Sequence, residues 1–179
     1  MMIRILMFAP LLTMSVLVGS CADPAATEAL RIDVERLRAR VDEGKKERIK
    51  YGEGSVLNLL VSMRVASDEH TLAMLEQKSA ALRWYPRFTY TVDGQTWKPP
   101  ADTEVQLRVL EVELVKAQSE ARAERARAAR MGGLIGMIAQ MNAELKAMPV
   151  AQLEYQMMAL RHGYPIYLTP KPSFEELKK

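Results

Sequence analysis

The run Val-Leu-Asn-Leu-Leu-Val-Ser-Met-Arg-Val at residues 56–65 decides the fold of this 179-residue chain. Its aliphatic side chains cover most of the circumference of a helix, which predicts a helix at the centre of the molecule. A second run of this kind, Leu-Ile-Gly-Met-Ile-Ala-Gln-Met, lies at residues 134–141. The two runs predict two central helices, one in each half of the chain.

Both runs belong to an internal duplication. When the chain is shifted by 78 residues, 11 of the 54 positions from 30 to 83 meet an identical residue. Gly54 then meets Gly132, and the extra residue Gly163 keeps Tyr85-Pro86 aligned with Tyr164-Pro165. Chance matches between alanine-rich helices do not explain the shared glycine and Tyr-Pro positions, so we expect two copies of one unit.

Each copy reads as a helix, a glycine break, a second helix and a short extended tail. The first helices carry apolar seams suited to helix packing, at Leu30, Val34, Leu37 and Val41 in copy one and at Leu107, Leu110, Leu114, Ala117 and Ala121 in copy two. Glycines at 52–54 and 132–133 can end a helix and turn the chain back, which predicts an αα-hairpin in each copy. A continuous helix through these glycines is the alternative.

Helix boundaries follow from capping and breaking residues. Thr27 is a reasonable N-cap for the first helix, after Pro24. Ser67-Asp68-Glu69 offers a fresh N-cap within the second helix, and Pro149 lies in the equivalent zone of copy two. Because proline inside a helix costs about 3 kcal/mol, we expect a kink or short break at both places.

The segment from Phe88 to Trp97 lies between the copies and alternates around Asp93-Gly94, which predicts a β-hairpin. In copy two, the equivalent residues 166–168 are candidates for a third strand, and residues 173–177 form at most one helical turn. The expected fold is therefore mainly α, with two pseudo-repeated helical hairpins in a four-helix, coiled-coil-like assembly and a small β-hairpin between the copies.

The N-terminus has the layout of an export signal. Arg4 precedes an apolar stretch of about fourteen residues, shorter than the roughly 20 that a membrane-spanning helix needs. The stretch ends in Val18-Gly19-Ser20-Cys21, and Cys21 is the single cysteine of the chain. This layout resembles the signal of bacterial lipoproteins, in which an aliphatic and two small residues precede the cysteine that is lipidated.

The resemblance implies an acylated Cys21 at the periplasmic face of a bacterial envelope. Since Ala22 rather than aspartate follows the cysteine, the resemblance favours the outer membrane over the inner membrane. A soluble secreted protein, cleaved at the small-x-small site Ser20-Cys21-Ala22, and an uncleaved anchor are the alternatives. The expected segments are a signal peptide at 1–20, a lipidated N-terminus and tether at 21–29, a first repeat with its β segment at 30–92, a turn and Pro-rich linker at 93–103, a second repeat at 104–169 and a tail at 170–179.

Composition limits the classes of partner. Without the signal, 24 basic residues face 22 acidic ones, so the near-balanced charge does not predict nucleic-acid binding. The chain has two histidines, His70 and His162, and neither belongs to a cluster with metal-ligand spacing. Its carboxylates lie mostly beside lysine and arginine on helix faces, where solvated ion pairs are expected. We therefore expect no enzyme, cofactor or metal.

Twelve methionines invite another interpretation. Met63, His70 and Met74 follow helical spacing, and thioethers bind Cu(I). Methionine is more often flexible core filler, or lines an adaptable apolar groove. The groove interpretation gives an alternative function, binding of a lipid or other amphiphile among Leu60, Met137, Met141 and Met157.

Two basic clusters precede the glycine breaks, at Lys45, Lys46, Arg48 and Lys50 and at Arg122, Arg125, Arg127 and Arg130. Cations near a helix C-terminus stabilise the helix without any ligand. Together they are also a candidate patch for phospholipid head groups, lipopolysaccharide phosphates or an acidic partner. The sequence thus predicts a non-enzymatic envelope lipoprotein that acts as a structural or adaptor protein, with a protein partner or self-association through its helices.

Overall fold

The computed structural model describes residues 23–85, 87–92 and 95–166. Within these residues, four helices and two short strands follow one another. They are α1 (Pro24–Ile49), α2 (Val56–Trp84), β1 (Thr91–Val92), β2 (Gln95–Thr96), α3 (Thr103–Ala128) and α4 (Gly133–His162). The mainly helical class and the β-hairpin between the two helical pairs are confirmed.

Each half of the chain forms an antiparallel helical hairpin, in which α1 packs on α2 and α3 packs on α4. In the first hairpin the α1 seam is buried, and Gly44 lets α1 approach α2 closely beside Val65. In the second, Ala128 of α3 packs against the small residues Ala139 and Ala143 of α4. Residues 50–55 and 129–132 separate the helices, so the predicted turns are confirmed and the continuous-helix alternative is wrong.

The hairpins join through α2 and α4, which lie side by side and run in the same direction. Arg64 of α2 contacts Glu144 of α4, and further along both helices Lys78 donates to the carbonyl of His162. A cleft lined by side chains of all four helices separates α1 from α3. The molecule therefore has two layers: α2 and α4 form one, and α1 and α3 cover a single side of it.

Of the kink or short break expected at residues 67–69 and at Pro149, the break is wrong at both places, because α2 and α4 are both continuous. Asp68 does not cap a new helix, since its buried carboxylate accepts two hydrogen bonds from Arg40. Pro149 lies inside α4 on an exposed face, where water can bond to the Leu145 carbonyl that has no amide partner.

The first helix also begins earlier than expected. Its N-cap is Asp23, whose carboxylate accepts from the Ala25 amide, and Pro24 occupies the first helical position. Thr27 lies within the first turn and donates to the Asp23 carbonyl. The segment 24–29, expected to be part of a tether, is therefore helical.

A core cluster closes the end of the molecule where α1 begins and α2 and α4 end. Tyr90, which precedes the β-hairpin, and Tyr164, which follows α4, pack there with Leu37 and Leu75. The hairpin pairs Thr91 with Thr96. Its Asp93-Gly94 turn, the candidate third strand beyond Ile166 and the tail at 170–179 lie outside the described residues.

Candidate functional site

The outer face of the α2–α4 layer is the most distinctive surface of the molecule. On α2, contacts to α1 and to α4 leave a third side, on which Val56, Leu59 and Met63 are 52%, 59% and 47% exposed. The corresponding stripe on α4 has the helical spacing 4, 3 and 4. Its members are Leu134, Ile138, Met141 and Leu145.

Both stripes lie on the same side of the layer, opposite α1 and α3. By helical spacing, the α2 stripe lies beside α4 and the α4 stripe lies beside α2. Each stripe also points away from the first helix of its own hairpin, α1 or α3. The positions that continue this face carry no Asp, Glu, Lys or Arg along either helix. They are Val56, Leu59, Met63, Ser67, His70, Met74 and Gln77 on α2 and Leu134, Ile138, Met141, Leu145, Met148 and Gln152 on α4.

This surface corrects the expectation that the second helices lie wholly at the centre. The turn-proximal half of α4 exposes five large apolar side chains by half or more, at Leu134, Ile135, Met137, Ile138 and Leu145. Single exposed apolar residues are ordinary on a protein surface, but contiguous apolar patches mark interaction sites. We refer to the thirteen uncharged positions of α2 and α4 named above as the outer face.

On the opposite side of the layer, buried charges connect the hairpins across the cleft. Arg40 of α1 donates twice to Asp68 of α2, at 3.0 and 2.5 Å, and also forms an ion pair with Glu154 of α4. The Asp68 and Glu154 side chains are only 2% and 12% exposed. One guanidinium thus bridges two carboxylates that come from two different helices.

A second chain of ion pairs crosses nearer the turns. Arg64 lies 2.5 Å from Glu47 and 3.0 Å from Glu144, which is also 3.4 Å from Arg125. Burial lowers the pKa of the Arg64 guanidinium, but the attraction of Glu144 and Glu47 outweighs it and the pKa rises. The cleft has a volume of about 250 Å³. Five of its six charged lining side chains have ion-pair partners, and Arg122 is the exception.

The sequence did not identify these buried charges as important. Arg64 and Glu144 each interrupt an apolar run, which was the available signal, because a charge on a buried face needs a partner. Arg40 and Glu154 gave no such signal, since charged residues surround Arg40 and the partners come from distant parts of the chain.

The second histidine, His162, is buried at the opposite end of the molecule from the helix turns, where α1 begins and α4 ends. Its Nε2 lies 2.8 Å from Asp33 of α1, which also contacts Arg36 and Arg161. Burial lowers the pKa of His162, and the Asp33 carboxylate opposes that shift only in part. Burial also lowers the pKa of the neighbouring Lys78. This cluster fastens the start of α1 to the end of α4.

The two basic clusters lie at the C-terminal ends of α1 and α3, at the same end of the molecule. Three of the eight cations have acidic partners: Lys45 pairs with Glu69, Arg125 with Glu144, and Arg127 lies 4.0 Å from Glu124. Arg122 donates to Gln118. Among the described residues, the exposed cations whose side chains have neither an ion pair nor a hydrogen bond are Lys46, Arg48, Lys50 and Arg130. Half of the candidate anion-binding patch is therefore available to a partner.

The residues expected to line an apolar groove do not form one concave site. Met137 is 53% exposed near the start of α4, whereas Met157 is buried about 30 Å further along the same helix. Leu60 is buried in α2 and Met141 is half-buried. A different open groove of about 620 Å³ lies beside the β-hairpin. Its apolar lining includes Val92, Trp97, Pro100, Leu160, Pro165 and Ile166.

Cys21, the candidate lipidation site, lies outside the described residues. In the described part of the chain, none of the helices combines the length and apolar character needed to cross a membrane. Residues 23–85, 87–92 and 95–166 contain no group of three or more His, Cys, Asp or Glu side chains placed to hold a metal ion. His70 instead packs its ring 5.5 Å from that of Tyr155.

Comparison with known proteins gives no relative: no family model, curated protein or solved structure matches the chain.

Proposed function

We propose that this protein is a lipid-anchored structural or adaptor protein of the bacterial cell envelope, without enzymatic activity, that acts through helical protein–protein contacts. The observation that carries the proposal is the outer face, an apolar and uncharged surface that a two-hairpin fold does not need for its own core. The lipobox-like segment ending at Cys21 gives the location.

The position of the outer stripes fits this arrangement. The described chain begins at Asp23, two residues after Cys21, at the start of α1. The exposed halves of α2 and α4 lie at the other end of α1, which is about 39 Å long because it has 26 residues. An anchor at Cys21 would hold the stripes and the basic clusters away from its own membrane, where they can meet a partner.

Metabolic labelling with alkynyl palmitate tests the anchor. The full chain should incorporate the label and fractionate with membranes, whereas a Cys21→Ser variant should do neither. Labelling that persists in the variant, or a wild-type chain without label in the soluble periplasmic fraction, would contradict the proposal.

Cross-linking of intact envelopes tests the adaptor role. Proteins captured with the tagged chain should be lost in a Met63→Glu variant, which places a charge on the outer face. They should be retained in a Val115→Glu variant, because Val115 is an exposed apolar residue of α3 outside that face. Equal capture by both variants would show that the outer face does not bind the captured proteins.

The groove beside the β-hairpin favours a second candidate function, binding of an amphiphile. Its volume of about 620 Å³ is in the range of small-molecule sites, and the Trp97 ring lines it. In a Trp84→Phe variant, Trp97 is the remaining tryptophan, and its emission should shift to shorter wavelength as palmitate binds. A matched Trp97→Phe variant should show no shift. Unchanged emission in both would remove this candidate.

A further inference from the structure

A cavity of about 300 Å³ lies between the start of α1 and the ends of α2 and α4. It is lined by different residues from the groove beside the β-hairpin, so the two are separate sites. One part of its lining is apolar and another part is basic, a division that suits a ligand with one apolar and one charged end. The apolar part includes Leu30, Leu82 and Phe88, and the basic part consists of Lys78, Arg161 and His162.

The basic part of the lining carries more positive charge than its neighbours neutralise. Among the described residues, Asp33 is the carboxylate in contact with it, and both Arg36 and Arg161 pair with Asp33. Lys78 donates to the carbonyl of His162 and has no ion pair in the described part of the chain. His162 adds no charge at neutral pH, because burial lowers its pKa. Three cations therefore share one carboxylate.

Burial makes this imbalance costly. Asp33 and His162 are each 5% exposed, and loss of hydration lowers the pKa of the Lys78 ammonium. An anion within hydrogen-bond distance stabilises a cation in such surroundings. In the described part of the chain, Lys78 and Arg161 each donate one hydrogen bond, whereas an ammonium has three N–H donors and a guanidinium five. Donors thus remain for an acidic head group.

The apolar part of the lining lies directly beside the cations. Leu82 is one helical turn beyond Lys78 on the same face of α2, and it packs against the core cluster that contains Leu30 of α1. Asp23 is the acidic lining residue. It precedes Asp33 by ten residues, about 15 Å along α1, so its charge is remote from the basic cluster. A ligand can therefore place its charge at the cations and its chain along the apolar side chains.

We infer that this cavity binds a small anionic amphiphile, a single-chain carboxylate whose head group contacts Lys78 and Arg161 and whose chain lies along the apolar lining. The volume of about 300 Å³ is at the lower limit of small-molecule sites, which fits one short chain rather than a two-chain phospholipid. The inference goes beyond the proposed function, because it assigns a separate ligand site that needs neither a protein partner nor a particular location in the cell.

NMR of the full chain, labelled with carbon-13 at the lysine Cε atoms, tests the inference with octanoate as the probe. The Lys78 signal is the one that is missing in a Lys78→Met variant. Octanoate should shift this signal saturably and raise the pH midpoint of its titration by about 1–3 pH units, because a nearby carboxylate favours the charged ammonium. Acetate, which lacks the chain, and octanol, which lacks the charge, should each bind at least about tenfold more weakly.

Matched variants locate the site. Ala26 and Ala25 are both exposed in the first turn of α1, but Ala26 lines the cavity. Ala26→Trp should abolish the effect of octanoate on Lys78 by filling the cavity, whereas Ala25→Trp should retain it. Arg161→Met should weaken octanoate binding, whereas Arg83→Met, which removes an exposed cation of α2 outside the cavity, should not. Circular dichroism verifies that each variant is folded.

A Lys78 signal that octanoate leaves unchanged would overturn the inference. Binding of acetate as tight as that of octanoate would also overturn it, because the site would then serve simple anions. Equally tight binding of octanol would show that the cations do not select the ligand. Binding that persists in Ala26→Trp would place octanoate outside this cavity.

Discussion

Buried charges determine how the two hairpins fit together at the level of single residues. Arg40 forms ion pairs with Asp68 and Glu154, and Arg64 forms ion pairs with Glu47 and Glu144. Each guanidinium therefore bridges carboxylates from two elements. A buried ion pair adds little net stability relative to apolar packing, but removal of one member leaves a buried charge unpaired. These contacts therefore select one arrangement of the hairpins rather than adding much to the free energy of folding.

We expect Arg40→Met to lower the free energy of unfolding by about 3–5 kcal/mol, because it leaves Asp68 and Glu154 buried without their cation. The matched control is Arg38→Met on the same helix, which removes an exposed pair with Glu76 of α2 and should cost much less, because water screens that pair. Urea denaturation measures both. Similar losses in the two variants would show that burial of the Arg40 cluster does not matter.

His162 should make the stability of the protein depend on pH. Because burial holds its pKa below the unfolded value of about 6.5, the unfolded chain takes up the proton more readily. Stability is then complete above pH 6.5 and falls as the pH drops toward the folded pKa. Between pH 7.5 and 5, wild type should lose more stability than His162→Gln, in which Asp33, Lys78 and Arg161 remain. Parallel pH profiles would contradict this assignment.

Local patterns predicted the elements well. The glycine breaks, the seam of α1 and the β-hairpin all follow from spacing and turn chemistry. The expected breaks in α2 and α4 are absent, because tertiary contacts override local breakers: Arg40 donates to Asp68, and α4, packed against α2 and α3, continues through Pro149. A single sequence does not reveal such contacts between distant segments.

The close approach of α1 to α2 depends on Gly44. A Cβ at this position would lie 2.6 Å from Cγ2 of Val65, so Gly44→Ala should lower the free energy of unfolding by about 1–3 kcal/mol despite the better helix propensity of alanine. Gly52→Ala is the control, since nothing lies within 4 Å of its Cβ position. Thermal and urea unfolding compare them. A more stable Gly44→Ala variant would mean that the helices are further apart.

At the scale of the whole molecule, both layers expose apolar side chains: the outer face on α2 and α4, and Val105, Val109, Val112 and Val115 on α3. The sequence predicted that α2 and α4 are the most apolar helices, and the duplication predicted two similar hairpins. It did not predict that α2 and α4 run in parallel, or that Leu57 and Leu60 are buried whereas Ile135 and Ile138 are exposed. Apolar content alone predicts burial, whereas the side on which the neighbouring hairpin packs depends on contacts such as Arg64 with Glu144.

Photo-cross-linking in living cells tests most directly whether the outer face is the contact surface. A photoreactive amino acid is placed in the full chain at Leu59, Met63 or Ile138 on the outer face, and at Arg108 or Ser119 on α3 as controls. We expect adducts with protein from the three outer-face positions and few from the controls. Adducts that are equally frequent on both layers, or confined to α3, would contradict the role assigned to the outer face.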